Sequence, residues 1–194
     1  MDGNIKTLVM LGKPGAGKGT QSGILKEHLR FSPVGYGDFF RNLSKQDTFV
    51  AKKVGETVDS GNLLPYWFPA YVLMEKMFNE IKPGQGIILD GAARSVGEAK
   101  ILHEVLTWFE RPYKAIYIDI SDEEVVKRLT ERQHLSGRAD DDPEHIKTRL
   151  EAFHRDVIPA VEYFKEQGTL LTVDGAQSMD KVTHDMLETL QGLI

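Results

Sequence analysis

The chain has 194 residues, 41% hydrophobic and 27% charged, which predicts one globular domain and excludes a disordered, fibrous or coiled-coil protein. Its 24 lysines and arginines against 29 aspartates and glutamates give a net charge of −5, which argues against a surface dedicated to nucleic acid or to anionic membranes. The absence of cysteine excludes disulfides, thiolate zinc sites and a cysteine nucleophile. The longest apolar run near the start, 8–11, is too short for a signal peptide or a membrane span, so we expect a soluble cytoplasmic protein.

Five short runs of aliphatic or β-branched residues predict strands, and several are apolar at consecutive positions, as in strands buried on both faces. These runs lie at 7–11, around 34, at 87–89, 115–120 and 169–173. Helices are predicted between them, at 17–30, 38–60, 65–80, 95–109, 122–132, 143–165 and 178–193. The alternation predicts an α/β fold, a five-stranded parallel sheet surrounded by helices in a single domain, 1–194.

A glycine-rich segment, Gly-Lys-Pro-Gly-Ala-Gly-Lys-Gly-Thr at 12–20, follows the first predicted strand and contains the GxxxxGK pattern of a phosphate-binding loop. Glycines let backbone N–H groups wrap around phosphate oxygens, the following helix offers its positive end, and Lys18 adds a full charge. A glycine-rich turn with a solvated lysine is the alternative. Most such loops place Ser or Thr after the lysine to bind Mg²⁺; here Gly19 stands there, so a carboxylate elsewhere must help to hold the metal.

This loop closely resembles that of adenylate kinases and related nucleoside monophosphate kinases, and further motifs match over nearly the whole chain. They are 37–41 (GDFFR), 61–65 (GNLLP), 90–94 (DGAAR), Arg128 with Arg132, 137–141 (GRADD), Arg149 and 173–175 (VDG). The resemblance implies a P-loop NTPase-type three-layer sandwich with an acceptor-binding helical insert at 38–83 and a short lid at 133–141, without structural zinc. It assigns ATP binding to Gly12, Pro14, Gly15, Ala16, Gly17, Lys18, Gly19, Thr20 and Arg128.

The resemblance also implies roles for the arginines. Lys18, Arg94, Arg132, Arg138 and Arg149 would be catalytic, Arg41 and Arg94 would hold the acceptor phosphate, and Asp90 would order magnesium-bound water. Read without the family, Arg128 and Arg132 stand four apart and share a helix face, which suits a phosphate between them. An exposed ion pair with Glu124 is the alternative for Arg128, and a turn cap is the alternative for Asp90.

The acceptor region departs from the family pattern. By resemblance the acceptor monophosphate contacts Tyr36, Gly37, Arg41, Leu64, Gly91, Arg94 and Glu98. Tyr36 stands where the family usually has Thr or a small residue, Ala92-Ala93 where it has Phe-Pro, and Glu98 where it has Gln. Without the proline we expect no cis peptide before Ala93. An ionised Glu98 can only accept hydrogen bonds, which would suit guanine or adenine's amino group alone; a pair with a nearby cation is the other interpretation.

The sequence therefore predicts an adenylate kinase, which transfers a phosphoryl group reversibly from ATP to AMP with Mg²⁺ and gives two ADP. Its expected partners are ATP and a nucleoside monophosphate, with no nucleic acid and no membrane, and we expect a monomer. A kinase for GMP, UMP or CMP is one alternative, and a catalytically silent nucleotide-binding module is another. The arginines matched to both substrates disfavour the silent module.

Overall fold

The sheet has the predicted parallel architecture. The computed structural model describes residues 4–59, 64–136 and 142–194. Its strands are β1 (Thr7–Gly12), β2 (Ser32–Gly35), β3 (Ile87–Asp90), β4 (Tyr113–Asp119) and β5 (Leu170–Asp174), all parallel, in the order β2-β3-β1-β4-β5. The predicted α/β fold and all five predicted strands are confirmed.

Helices flank the sheet on both faces. They are α1 (Lys18–Leu29), α2 (Tyr36–Leu43), α3 (Phe49–Asp59), α4 (Trp67–Asn79), α5 (Val96–Trp108), α6 (Asp122–Ser136), α7 (Pro143–Ala152), α8 (Ile158–Glu166) and α9 (Met179–Leu190). A single turn of π-helix, Phe153–Val157, joins α7 to α8. The single helix predicted at 38–60 is wrong: the chain breaks between α2 and α3, where Thr48 Oγ1 accepts a hydrogen bond from Ala51 N at 3.1 Å.

The expected lid at 133–141 differs in its first part. Residues 133–136 form the last turn of α6, so the helix runs four residues past its predicted end and the lid does not start there as a loop. The remainder, 137–141, lies outside the described residues, and Arg138 lies within it. The extent of the lid therefore stays a prediction.

The central strand explains why the sheet needs helices on both sides. All six residues of β1 are buried, and alternate side chains enter two separate apolar clusters: Val9 and Leu11 in one, Leu8 and Met10 in the other. Since neighbouring side chains of a strand point to opposite faces, a continuous apolar strand requires cover on both. The parallel register then brings the strand ends Gly12 and Asp90 to the same edge of the sheet.

Three helices, α2, α3 and α4, lie between β2 and β3 and account for most of the predicted insert. The ring centroids of Phe40 in α2 and Phe68 near the start of α4 are 5.7 Å apart, and both side chains pack against the cluster that holds Val9. Movement of 38–83 as a unit stays a prediction. Within the described residues, no helix combines the length and the hydropathy that crossing a bilayer requires.

Candidate active site

The phosphate loop joins β1 to α1 at the carboxyl edge of the sheet. Gly15 and Gly17 have φ angles of 77° and 92°, in the left-handed region that suits glycine. Gly17 is also the N-cap of α1, and no acidic residue lies in the first turn of that helix. A helix that starts without a side-chain cap presents its first N–H groups and the positive end of its dipole to an anion.

Lys18 lies at the centre of this site. Its Nζ donates hydrogen bonds to the carbonyl oxygens of Gly12, at 2.7 Å, and Lys13, at 2.9 Å. Burial, followed by the charges of Arg94, Arg149 and Arg132, lowers the pKa of Lys18 to about 8, and Asp90 acts in the opposite direction. Four residues from three separate parts of the chain therefore act on one ammonium, which fits a site that receives a highly charged anion.

Asp90 ends β3 beside the phosphate loop. A Cβ added to Gly19 would lie 3.5 Å from Asp90 Oδ2, so the carboxylate is next to the position where most loops of this kind carry a hydroxyl side chain. Carboxylate oxygen is a ligand that Mg²⁺ prefers. The donor chemistry at this point therefore fits magnesium without a loop serine or threonine.

Two arginines that are predicted to bind phosphate each place the guanidinium group close to a glycine. Arg94 Nε donates to the carbonyl oxygen of Gly91 at 3.0 Å, and a Cβ on Gly91 would come within 2.9 Å of the Arg94 guanidinium. Gly91 also has a φ of 86°, so a side chain there would be strained as well as crowded. Arg41 lies over Gly37 in the same way, with Nη1 3.3 Å from the place a Cβ would take.

Arg128 forms an ion pair with Glu124, which is the alternative to phosphate binding that the sequence left open. Its Nε donates to Glu124 Oε1 at 2.7 Å, and its Nη2 donates to the carbonyl oxygen of Gly175 at 2.9 Å. These bonds hold the guanidinium of α6 against the loop after β5, near the 173–175 motif. Its contact with the base of ATP stays a prediction.

Glu98 is the most buried acidic residue of the site, with 6% of its surface exposed. Its carboxylate accepts hydrogen bonds from the backbone N–H groups of Ala93, at 2.7 Å, and Arg94, at 3.0 Å. The charge of Arg94 also acts on this carboxylate, in the direction that lowers its pKa, so its pairing with a nearby cation stays a prediction as well. Recognition of the acceptor base by Glu98 stays a prediction.

The turn that Glu98 holds has an unusual backbone. Ala93 has a φ of 55°, a left-handed conformation that costs an alanine about 1 kcal/mol or more. The expectation of no cis peptide before Ala93 agrees with the structure, where none of the described peptide bonds is cis. A left-handed alanine tied to a buried carboxylate thus shapes the segment that carries Arg94.

Tyr36 is almost fully buried, and burial followed by the charge of Glu98 raises its pKa. A small cavity beside it is bounded by Tyr36, Pro69, Ala70, Ala92, Ala93, Glu98 and Leu102. Apolar side chains from the insert and from the turn after β3 therefore meet here. Leu64, the remaining predicted acceptor contact, is half-buried just before α4.

Comparison with known proteins gives one consistent result. The adenylate kinase family model matches residues 10–169. "Adenylate kinase 1" of Nostoc sp. (strain PCC 7120) is 39% identical over 184 residues, which cover 94% of this chain and 97% of the relative. "Adenylate kinase" of Leptospira biflexa serovar Patoc is 34% identical over 96% of this chain and its own full length, and that of Flavobacterium johnsoniae is 34% identical over 96% and 98%.

The chain belongs to the adenylate kinase family. It is accordingly a nucleoside monophosphate kinase, and the predicted family, enzyme class and adenylate kinase function are confirmed. Nothing in these comparisons favours another acceptor or a silent module. The relatives are matched over nearly their full lengths.

One group of this adenylate kinase family member was missed by sequence reasoning. Lys13 lies inside the phosphate loop, yet its side chain is only 9% exposed and pairs with Asp122 at the start of α6. Asp122 in turn is 2.9 Å from His154 Nε2. A lysine beside the first glycine of the loop was the only feature of the sequence that could have drawn attention to this group.

Proposed function

We propose that this chain transfers the γ-phosphoryl group of ATP to AMP through the residues gathered around Lys18. Lys18 and the N–H groups of the phosphate loop hold the ATP phosphates, Arg41 and Arg94 hold the acceptor phosphate, and Arg132, Arg138 and Arg149 neutralise the charge on the transferring group. The observation that carries this proposal is the joint effect of Arg94, Arg132, Arg149 and Asp90 on one ammonium, that of Lys18.

The reaction needs positioning and charge neutralisation more than covalent chemistry by the protein. An oxygen of the acceptor phosphate attacks the γ-phosphorus in line, the bond from that phosphorus to the β,γ-bridging oxygen breaks, and ADP leaves with that electron pair. The acceptor phosphate has a second pKa near ~6, so it is mostly a dianion at neutral pH and loses no proton to a general base. Guanidinium groups suit this task because their N–H groups match phosphate oxygens in pairs.

Magnesium fits the site through Asp90, whose carboxylate lies beside Gly19. When bound with ATP, the ion would neutralise phosphate charge, and Asp90 would hold it through a water molecule. This assignment is supported by the oxygen chemistry of Asp90 and by its place next to the phosphate loop. We place no structural zinc in the protein, which we expect to act as a cytoplasmic monomer.

AMP is the acceptor that the relatives' names support, although Tyr36, Ala93 and Glu98 depart from the usual acceptor pattern. Glu98 uses its carboxylate oxygens on the backbone of the turn, so we infer that they pair less with the base of the acceptor. A site that makes fewer hydrogen bonds to a base discriminates less sharply between bases. We therefore expect AMP to be preferred, with measurable turnover of GMP.

A coupled assay that detects ADP, with ATP and each of AMP, GMP, UMP and CMP, tests the proposal. We expect the highest kcat/KM for AMP, and loss of at least ~10³-fold in Lys18→Ala. Lys181→Ala is the matched control, because this lysine is exposed on α9 and its ion pair with Asp185 is far along the chain from the loop. A higher kcat/KM for GMP would reject AMP as the acceptor, and binding of ATP without turnover of any acceptor would reject catalysis.

A further inference from the structure

Lys13 belongs to the phosphate loop by sequence, but its side chain is committed to another part of the fold. Its Nζ donates to the carbonyl oxygen of Ile120 at 2.7 Å and lies 2.6 Å from Asp122 Oδ1. Only 7% of the residue is exposed. A lysine this buried is tolerated when its charge is both paired and hydrogen-bonded, as it is here.

Asp122 continues the connection to a third element. Its other oxygen, Oδ2, is 2.9 Å from Nε2 of His154, in the π-helical turn after α7. The contact with Lys13, followed by that with His154, holds the pKa of Asp122 below its usual value, so the carboxylate is ionised at neutral pH. One carboxylate therefore joins the phosphate loop, the start of α6 and the π-helical turn that continues α7.

Each of these three elements carries a group that the proposed function uses. The backbone carbonyl of Lys13 accepts a hydrogen bond from Lys18 Nζ at 2.9 Å, so the anchored residue also supports the loop lysine. Helix α6 carries Arg132 ten residues after Asp122, about 15 Å along the axis, and Arg149 lies five residues before His154. A shift of any one element against the others would move its charged group relative to Lys18.

We propose that Lys13, Asp122 and His154 form a positioning bridge that sets Lys18, Arg132 and Arg149 at their working distances around the transferring phosphoryl group. None of the three bridge residues is assigned a contact with substrate, so they act through the residues they hold. The proposal rests on the proposed function for the roles of Lys18, Arg132 and Arg149. It goes beyond that function because it adds three positioning residues, one of them inside the phosphate loop.

The bridge makes a specific kinetic prediction. Lys13→Met keeps the unbranched side chain up to the position of Cε and removes the charged Nζ, so the loop and α6 lose their connection while most of the space stays filled. We expect kcat to fall about tenfold and KM for ATP to rise, with KM for AMP within twofold of wild type, because the acceptor phosphate is held by Arg41 and Arg94 on other elements. Asp122→Asn and His154→Gln should change the same parameters in the same direction, with His154→Gln weakest.

Double variants test whether the residues act as one unit. The values of kcat and of KM for ATP in Lys13→Met with Asp122→Asn should be close to those of Lys13→Met alone, because either substitution by itself already removes the contact between these two residues. The matched control is Lys181→Met with Asp185→Asn, a pair with the same 2.6 Å separation on exposed α9, which should leave kcat and both KM values unchanged. Circular dichroism and Tm for each variant set an assay temperature at which all are folded.

Two results would overturn the bridge: kinetic parameters within twofold of wild type in all three single variants, or equal increases in KM for ATP and AMP. Because His154 is half-exposed, its variant still tests the bridge if Lys13→Met fails to fold. Calorimetric titration with ATP gives a readout that needs no turnover. An inactive wild type would reject the proposed function, whereas an active wild type with unaltered variants would reject the bridge alone.

Discussion

The carboxylate of Glu98 accepts a hydrogen bond at 2.7 Å from the backbone N–H of Ala93, a residue held in a left-handed conformation. The same carboxylate accepts from Arg94 N at 3.0 Å, and the side chain of Arg94 folds back to Gly91. The acid thus stabilises a turn that alanine does not favour on its own. The position of an arginine of the site depends on that turn.

We expect Glu98→Gln to weaken acceptor use in general. A glutamine amide can accept through its oxygen but points N–H groups at one of the two backbone donors, so the turn loses a hydrogen bond and gains a repulsive contact. Values of kcat/KM for AMP and GMP should fall together, by about 10-fold, with KM for ATP nearly unchanged. Steady-state kinetics with both acceptors measures this. A rise in the AMP to GMP ratio would instead mean that Glu98 reads the base.

Ala93→Gly provides the matching rescue. Glycine adopts a positive φ without the penalty that alanine has, so the turn should depend less on Glu98. We expect Ala93→Gly combined with Glu98→Gln to recover several-fold of the lost kcat/KM for AMP. The single variant Ala93→Gly should retain wild-type kinetics. A double variant no better than Glu98→Gln would show that backbone strain at Ala93 is not what the carboxylate offsets.

Stability should depend on pH through the same residue. Burial raises the pKa of Glu98 to about 7 from 4.5, despite the opposing effects of its backbone hydrogen bonds and Arg94. Between these values the folded protein keeps a proton that the unfolded chain releases, so the free energy of unfolding falls as pH rises through this window and levels off above it. The size is about 2–3 kcal/mol between pH 5 and 8.

Urea unfolding at several pH values from 5 to 8 measures this contribution against Glu98→Gln. The wild-type free energy of unfolding, minus that of the variant, should decrease steadily towards pH 7 and then stay constant. Parallel profiles for the two proteins would mean that Glu98 keeps an ordinary pKa in the folded state.

Much of this arrangement can be read from the sequence, and the reasons for the exceptions are physical. Consecutive apolar residues identified the strands, and the order of motifs placed Lys18, Arg94 and Arg149 in one site. The break at 44–48 was missed because that segment contains neither glycine nor proline. The bridge from Lys13 was missed because its partner lies 109 positions further along the chain, and only the folded sheet brings the two together.

Substitution of the arginines assigned to the transferring phosphoryl group should lower the rate strongly without loss of the fold. Arg149→Met and Arg138→Met each remove a charge assigned to the transferring group, so kcat should fall by at least ~10³-fold. For Arg149→Met, circular dichroism should match wild type, because Arg149 belongs to neither of the two apolar clusters. Near-normal turnover at saturating ATP and AMP would reject the role of the residue concerned.

Asp90→Asn tests the magnesium assignment. The amide keeps the size of the side chain but removes the charge that attracts the ion, so more Mg²⁺ should be needed for half-maximal activity. We expect a shift of about 10-fold or more in a Mg²⁺ titration at fixed ATP, with KM for AMP little changed. An unchanged titration curve would assign Asp90 to the structure of the turn alone.

Elemental analysis tests the expected absence of structural zinc. In the described part of the chain, one group of three potential ligands lies within 4.8 Å of one another, that of His184, Asp185 and Glu188 on α9. Asp185 already pairs with Lys181 at 2.6 Å. Protein purified without chelator should contain well under one zinc per chain; one tightly held zinc would contradict the expectation.

The π-helical turn at Phe153–Val157 acts as a spacer of fixed length. Before it, Ile146 packs in the cluster with Leu8; after it, Val161 and Phe164 pack in the cluster with Val9, on the other face of the sheet. Removing one residue here would allow regular α-helical hydrogen bonds, but it would rotate the side chains of α8 by about 100° around the helix axis relative to Arg149. A regular α-helix through this segment would therefore turn the apolar residues of α8 away from their cluster, and the π-helical turn keeps them facing it.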